Sequence, residues 1–192
     1  MTVTNANLFV VSGGPGSGKT TMLRELAKLG FGVVEEAARQ IIQEQVASGG
    51  TALPWSDRQA YTRLMRQRSI ESFVAATPSP EPVFADRGIP DSLGYARLIG
   101  LGEQADIEDA CRDYRYASKV LLAPPWKEIY QTDGERKQDA AEAERTYSVV
   151  SSVYRDYGYE IIELPRIAPA ARARWVLERL ELRSAPPPST EI

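Results

Sequence analysis

Histidine is absent from the 192 residues, and cysteine occurs once, as Cys111. Without histidine, Ser-His and Cys-His hydrolase machinery is excluded, and acid–base chemistry falls to carboxylates, lysines, tyrosines or water. A lone cysteine makes no internal disulfide, and there is no Cys/His cluster for a structural zinc site. Both absences fit a reducing cytoplasm, the expected location. No asparagine follows Asn7, so the Asn-Lys-x-Asp element by which GTPases read guanine cannot occur. ATP is favoured over GTP by elimination. There is also no surplus of charge: 26 acidic against 23 basic residues leave a net charge of −3, which gives no general pull toward nucleic acid or an anionic membrane. No apolar run approaches the roughly 18 residues of a membrane span, and residues 1–8 lack both the basic flank and the apolar run of a secretory signal.

What is present is 43% hydrophobic residues, enough for one substantial core and short for two. Five short apolar runs, at residues 8–12, 31–34, 83–85, 119–122 and 160–164, read as buried parallel strands. Helical patterns separate them, at 19–29, 35–47, 57–73, 91–99, 107–116, 140–157 and 169–182. Ser56 with Gln59 is expected to form a capping box at the start of the third helix. The alternation predicts a doubly wound α/β sheet. One domain over residues 1–183 is expected, with a polar, mobile lid at about 124–145 and a disordered Pro/Ser-rich tail at 184–192. The oligomeric state is not readable, and no apolar heptad suggests a coiled coil.

Between the first strand and the first helix lies Gly13-Gly14-Pro15-Gly16-Ser17-Gly18-Lys19-Thr20, a match to G-x-x-x-x-G-K-[ST] in the structural context the motif requires. Glycines let successive backbone N–H groups curl around a β-phosphate, and the helix turns its positive N-terminus toward the same charge. Lys19 is expected to bridge the β- and γ-phosphates and the Thr20 hydroxyl to ligate Mg²⁺, with Thr21 beside them in the nucleotide-binding set. The loop does not decide the fate of the γ-phosphate, because GTPases, motor ATPases and small-molecule kinases share it. No apolar strand ends in Asp-Glu, and too few residues follow the fifth strand for a helical lid domain, so a mechanical ATPase is disfavoured.

Asp86 and Arg87 follow the third strand at its carboxyl end, where open α/β sheets bind ligands. Asp86 is a candidate for holding Mg²⁺ or polarising an attacking hydroxyl, and Arg87 for binding an anionic or hydroxylated acceptor. Helix capping by Asp86 and an Arg87–Asp91 pair would explain the same residues without a ligand. Glu35, Glu36 and Arg39 after the second strand are candidate acceptor ligands, one glutamate being a possible base; acids at a helix start also complement its dipole unaided. Arg136, in the run 133–137, is the candidate for stabilising the transferred phosphoryl group, with Lys137 and Arg145 as substitutes. Tyr95 and Trp55 are possible walls of an acceptor pocket.

Taken together, the phosphate loop, Val34-Glu35-Glu36-Ala37-Ala38-Arg39, Asp86-Arg87-Gly88-Ile89-Pro90-Asp91, residues 133–136, and Tyr157-Gly158-Tyr159-Glu160 with Leu164-Pro165 make the chain resemble the AAA_28 group of P-loop ATPases, relatives of the ribosylnicotinamide kinase domain. The resemblance covers residues 7–182. It implies a three-layer P-loop NTPase fold with a five-stranded parallel sheet in kinase-like order 2-3-1-4-5. By the wider analogy to nucleoside and nucleotide kinases, it gives Glu35 or Glu36 contact with the acceptor, Asp86 and Arg87 contact with metal and substrate, and Arg136 the lid position. The same analogy places adenine against the loop from Pro165 to Ala168. The expectation is a small-molecule kinase using ATP and Mg²⁺, with catalytic Lys19, Glu36, Asp86 and Arg136. The alternative is an ATPase or ATP-dependent switch acting on a protein partner. Nothing in residues 48–82 identifies the acceptor.

Overall fold

Five parallel strands, β2 (Leu8–Gly13), β3 (Gly32–Val34), β4 (Val83–Asp86), β6 (Lys119–Ala123) and β7 (Glu160–Glu163), lie in the order β3-β4-β2-β6-β7. Counted within this sheet alone, that is 2-3-1-4-5. The computed structural model describes residues 1–129 and 140–183. Residues Val10 and Val11 of β2 pair with Ala85 and Asp86, and Val11 with Leu121, so the phosphate loop leaves the sheet between the ends of β4 and β6. Strands β3 and β4 are added on one side of β2 and strands β6 and β7 on the other, which makes the carboxyl edge at β2 the topological switch point.

Strand side chains alternate between two cores, as the period of two requires. Leu8, Val10, Val83, Ala85, Val120 and Leu122 face one side, packed with Phe73 of α3 (Arg58–Ala76), Leu93 of α4 (Ile89–Leu98), Cys111 of α5 (Ala105–Asp113) and Val153 of α6 (Ala140–Asp156). Val11, Phe84, Leu121 and Ile162 face the other, against Met22 and Leu26 of α1 (Lys19–Lys28) and Val176 of α7 (Pro169–Arg179). These are the three layers. A smaller cluster joins Ile41 and Ile42 of α2 (Ala37–Ser48) to Leu53, Tyr61 and Met65. Each fully buried large aliphatic contributes about 1.5–3 kcal/mol.

Some local expectations change. The third helix is capped by Asp57, whose carboxylate accepts from the Ala60 N–H at 2.9 Å, and not by Ser56; a carboxylate one residue further on reaches the orphan donor. Helix α4 starts at Ile89, two residues before the expected start, because Pro90 falls in the first turn, where its missing N–H leaves no bond unmade. Helix α5 stops at Asp113, and Tyr114–Arg115 form a short strand, β5, that pairs in parallel with β1 (Val3–Thr4), a two-stranded sheet the apolar pattern did not signal. The residues 130–139, which include Asp133, Arg136 and Lys137, and the tail 184–192 lie outside the described residues. No described helix is long and apolar enough to cross a membrane.

Candidate active site

The strand-to-helix turn after β2 is built where only glycine fits. A Cβ at Gly13 would sit 2.3 Å from the Ala123 carbonyl oxygen, at a φ of +129°, and one at Gly14 would sit 2.8 Å from the Ala143 carbonyl oxygen of α6. Gly18 caps α1 with no side-chain hydrogen bond, and no acid occupies the first turn, so the N-terminal N–H groups of this helix receive no anionic side chain of its own. That is the electrostatic form of an anion site. The Lys19 ammonium is buried and lies within the loop, donating to the carbonyls of Gly13 at 3.2 Å and Gly14 at 2.7 Å. Ser17 donates its hydroxyl to the Gly14 carbonyl at 2.8 Å. Pro15 is buried, and Gly16, Thr20 and Thr21 are exposed at the loop tip and first helical turn.

Asp86 stands at the end of the neighbouring strand. Its Oδ2 accepts from the Thr20 hydroxyl at 3.1 Å, while its buried Oδ1 has no partner among the described residues. Burial pushes this carboxyl above its ordinary pKa, with Lys19 opposing the rise and Glu36 adding to it. A hydroxyl beside a carboxylate with an unsatisfied oxygen, next to an anion site, fits a hydrated divalent cation. Mg²⁺ takes only one or two protein oxygens when phosphates and water supply the rest. The described residues hold no cluster of three or more acidic, histidine or cysteine ligands, and such a site needs none.

Arg87 adopts the left-handed backbone conformation, φ 76°, one of two such non-glycine residues among those described. Left-handed backbone in a bulky residue carries strain that tertiary contacts must hold. Its Nε donates to Glu36 at 2.8 Å, and its Nη1 to Asp91 at 3.1 Å and to the Gly13 carbonyl at 3.0 Å. Burial alone would lower the pKa of this guanidinium, but Glu36, Asp91 and Asp86 more than reverse that. Asp91, 3% exposed at its side chain, is the hub. It also accepts from the Ser12 hydroxyl at 2.5 Å, the Gly88 N–H at 2.9 Å and the Tyr154 hydroxyl at 2.6 Å. Burial, with Asp91 next, raises the Tyr154 pKa well above normal, so the phenol stays a donor.

Two cavities meet at Glu36. One, of about 310 Å³, is lined by Pro15, Glu36, Arg87, Asp91, Trp55 and Tyr95 among others. The second, of about 360 Å³, is lined by Thr20, Asp86, Glu35, Glu36 and Arg39. The first volume is at the lower end of the roughly 300–1,000 Å³ common for small-molecule pockets.

The family model AAA_28, an AAA domain, matches residues 8–172. The chain belongs to the AAA_28 family. No curated protein matches it significantly in sequence. Among solved structures, this AAA_28 protein is similar to the NadR protein in complex with NR, with a TM-score of 0.69 and 20% identity over 95% of this chain; it spans only 54% of that one. It is similar to thymidylate kinase from Ehrlichia chaffeensis, with a TM-score of 0.58 and 16% identity over 93% of this chain and 100% of that one. It is also similar to shikimate kinase from Acinetobacter baumannii in complex with shikimate, with a TM-score of 0.51 and 17% identity over 92% and 94% of the two chains. These likenesses establish the P-loop kinase fold.

Within the AAA_28 protein, Lys19, Thr20, Asp86, Glu36 and Arg87 converge on one edge of the sheet, whereas Glu35 is exposed and accepts from Gln40 at 3.2 Å. Arg39 is half-buried in the wall of the second cavity. Pro165 and Ala168 border a residue that sequence reasoning passed over, Arg172. It is 1% exposed; its Nε donates to the Pro165 carbonyl at 2.7 Å, its Nη1 to the Ser17 carbonyl at 2.8 Å, and its guanidinium lies 4.9 Å from the Trp126 ring centre. It ties the loop after β7 to the phosphate loop. Nothing in its spacing sets it apart from Arg174 and Arg179 on the same helix; only the fold shows that it points inward.

Proposed function

We propose that this AAA_28 protein is an ATP-dependent small-molecule kinase that transfers the γ-phosphate of ATP to a hydroxyl of a small, nucleoside-like or nucleotide-like acceptor. The observation that carries the reading is the 310 Å³ cavity beyond Pro15, a walled pocket next to the phosphate loop and not a flat surface. In this reading the phosphate loop and α1 bind the triphosphate, with Lys19 turning from the Gly13 and Gly14 carbonyls to the β- and γ-phosphates. Thr20 and Asp86 would hold Mg²⁺, whose charge offsets that of the phosphates. Pro165 to Ala168, fixed through Arg172, border the base.

Glu36, shared by both cavities, accepts the hydrogen bond of the acceptor hydroxyl and receives its proton as the oxygen bonds to the γ-phosphorus and ADP departs. Arg87, fixed by Glu36, Asp91 and Gly13, holds that carboxylate in place. Most of the rate then comes from positioning and charge neutralisation. Arg136, which lies outside the described residues, is assigned to the transferred phosphoryl group from its place in the sequence and the resemblance to nucleoside and nucleotide kinases. Transfer of label from γ-labelled ATP to a panel of nucleosides, nucleotides and hydroxylated metabolites, with Lys19→Ala as control, tests the reading. Acceptor-dependent transfer, lost in the control, is the expected result. Intact ATP binding with no transfer to any acceptor would instead favour an ATP-dependent switch.

A further inference from the structure

Three loops leave the carboxyl edge of adjacent strands: the phosphate loop after β2, residues 124–126 after β6, and Pro165 to Ala168 after β7. One side chain meets all three. Arg172 of α7, 1% exposed, donates Nη1 to the Ser17 carbonyl at 2.8 Å and Nε to the Pro165 carbonyl at 2.7 Å, and its guanidinium lies 4.9 Å from the centre of the Trp126 ring. Beside it the exposed Arg166 donates Nε to the Pro125 carbonyl at 3.0 Å, a second tie between the loops after β6 and β7.

The packing of α7 does not require a cation at this place. Its other inward residues, Ala173, Val176 and Leu177, are apolar and share a core with Met22 and Leu26 of α1. Taking a guanidinium out of water costs the fold more than burying an aliphatic side chain there, and burial, then the charge of Arg166, lower its pKa. What the guanidinium adds is a planar fork with donors at fixed angles, which holds two carbonyls at a set separation. It also brings a charged donor to Ser17, and such a donor polarises the peptide unit it meets. The N–H of that unit belongs to Gly18, which caps α1 in the left-handed conformation, φ 79°.

Resting on the reading of residues 13–20 as the nucleotide site, we propose that Arg172 is a positioning residue that couples the binding of the base to the binding of the phosphates. Through Ser17 it fixes and polarises the Ser17–Gly18 peptide at the start of α1. Through Pro165 and Trp126 it holds the loops after β7 and β6 at a set distance from that peptide. The nucleotide then meets one preformed site, and its binding does not have to order three separate loops. Arg172 itself touches no part of the ligand in this account.

Calorimetry with Mg²⁺, at a temperature well below the thermal midpoint, tests this with two probes: ATP, and inorganic tripolyphosphate, which has the phosphates without the base. Arg172→Met, apolar and of similar length, is expected to weaken both about tenfold. Arg172→Lys keeps the charge without the planar fork. It is expected to bind tripolyphosphate within about threefold of wild type but ATP about tenfold more weakly. Variants that lose thermal midpoint yet keep wild-type affinity for both probes overturn the proposal and leave Arg172 a contact of the fold. A loss for ATP alone in Arg172→Met overturns the coupling, since the phosphate loop would then not depend on this side chain. Should Arg172→Met not fold, Arg172→Lys carries the test, and wild-type affinity for both probes overturns the proposal. Wild-type protein that binds neither probe overturns the nucleotide reading and the proposal with it.

Discussion

At the phosphate loop the protein works with backbone; at the neighbouring 310 Å³ cavity, the proposed acceptor site, it works with side chains. Gly13 and Gly14 bring main chain within van der Waals distance of Ala123 and Ala143, and α1 begins at Gly18 without a side-chain cap. Such a site depends on conformation, so it tolerates few residue types but is contiguous along the chain. The cavity draws Glu36, Trp55, the Arg87–Asp91 pair and Thr146 from four segments, and its shape depends on an ion-pair network. The two ends also treat buried carboxylates differently. Asp86 has one hydroxyl donor and an oxygen with no partner among the described residues, whereas Asp91 accepts from Ser12, Arg87, Gly88 and Tyr154. A satisfied carboxylate holds a fold together; an unsatisfied one is, in the proposed reading, kept for a ligand.

Substitutions at the two ends should separate these roles. The largest effect is expected from Lys19→Ala, which removes the buried cation of the phosphate loop: turnover should fall about a thousandfold in a phosphoryl-transfer assay. Asp86→Asn comes next, with turnover down about a hundredfold while nucleotide binding, measured by calorimetry, is largely retained. The Asp86 pKa is raised in the folded protein. The folded state therefore holds this proton more tightly than the unfolded chain, and the ionised carboxylate costs stability above the raised pKa, a cost that disappears as the pH falls through it. The thermal midpoint of the metal-free protein should therefore gain from this group as the pH falls through its raised pKa.

Tyr154→Phe deletes one donor to Asp91 and should cost about 2 kcal/mol of unfolding free energy in a urea titration. A loss well under 1 kcal/mol would mean that the hub is less tightly organised than its four donors indicate. The smallest effect is expected from Arg68→Ala. It breaks a surface pair with Glu44, of 2.6 Å, between partners whose side chains are 35% and 51% exposed, and should cost less than about 1 kcal/mol in the same titration.

The same contrast explains what could be read from the sequence. The five strands were legible because short apolar runs stand out between helical patterns, although only β2, β4 and β6 are buried along nearly their whole length and the edge strands β3 and β7 are partly exposed; the order 2-3-1-4-5 is what the resemblance implies. The phosphate loop was legible because its eight residues are contiguous. Glu36 and Arg87 could be proposed from their positions after strands, but their mutual ion pair, 51 positions apart in sequence, could not. Asp91 was visible only as a partner for Arg87, since nothing in the sequence shows Ser12 and Tyr154 converging on it. Arg172 was hidden for the same reason: a buried arginine in an arginine-rich helix differs from its neighbours only in the direction it faces. The strand β5 was missed because two residues carry no period.

The division of labour between the two carboxylates is tested most directly by measuring thermal midpoint and turnover in parallel for Asp86→Asn and Asp91→Asn at pH 7. Asp86→Asn is expected to raise the midpoint while abolishing most turnover, because it removes a buried charge with an unsatisfied oxygen. Asp91→Asn is expected to lower the midpoint, because it leaves Arg87 short of a buried partner. Midpoints that fall together by similar amounts would contradict the claim that Asp86 is kept for a ligand and Asp91 for the fold.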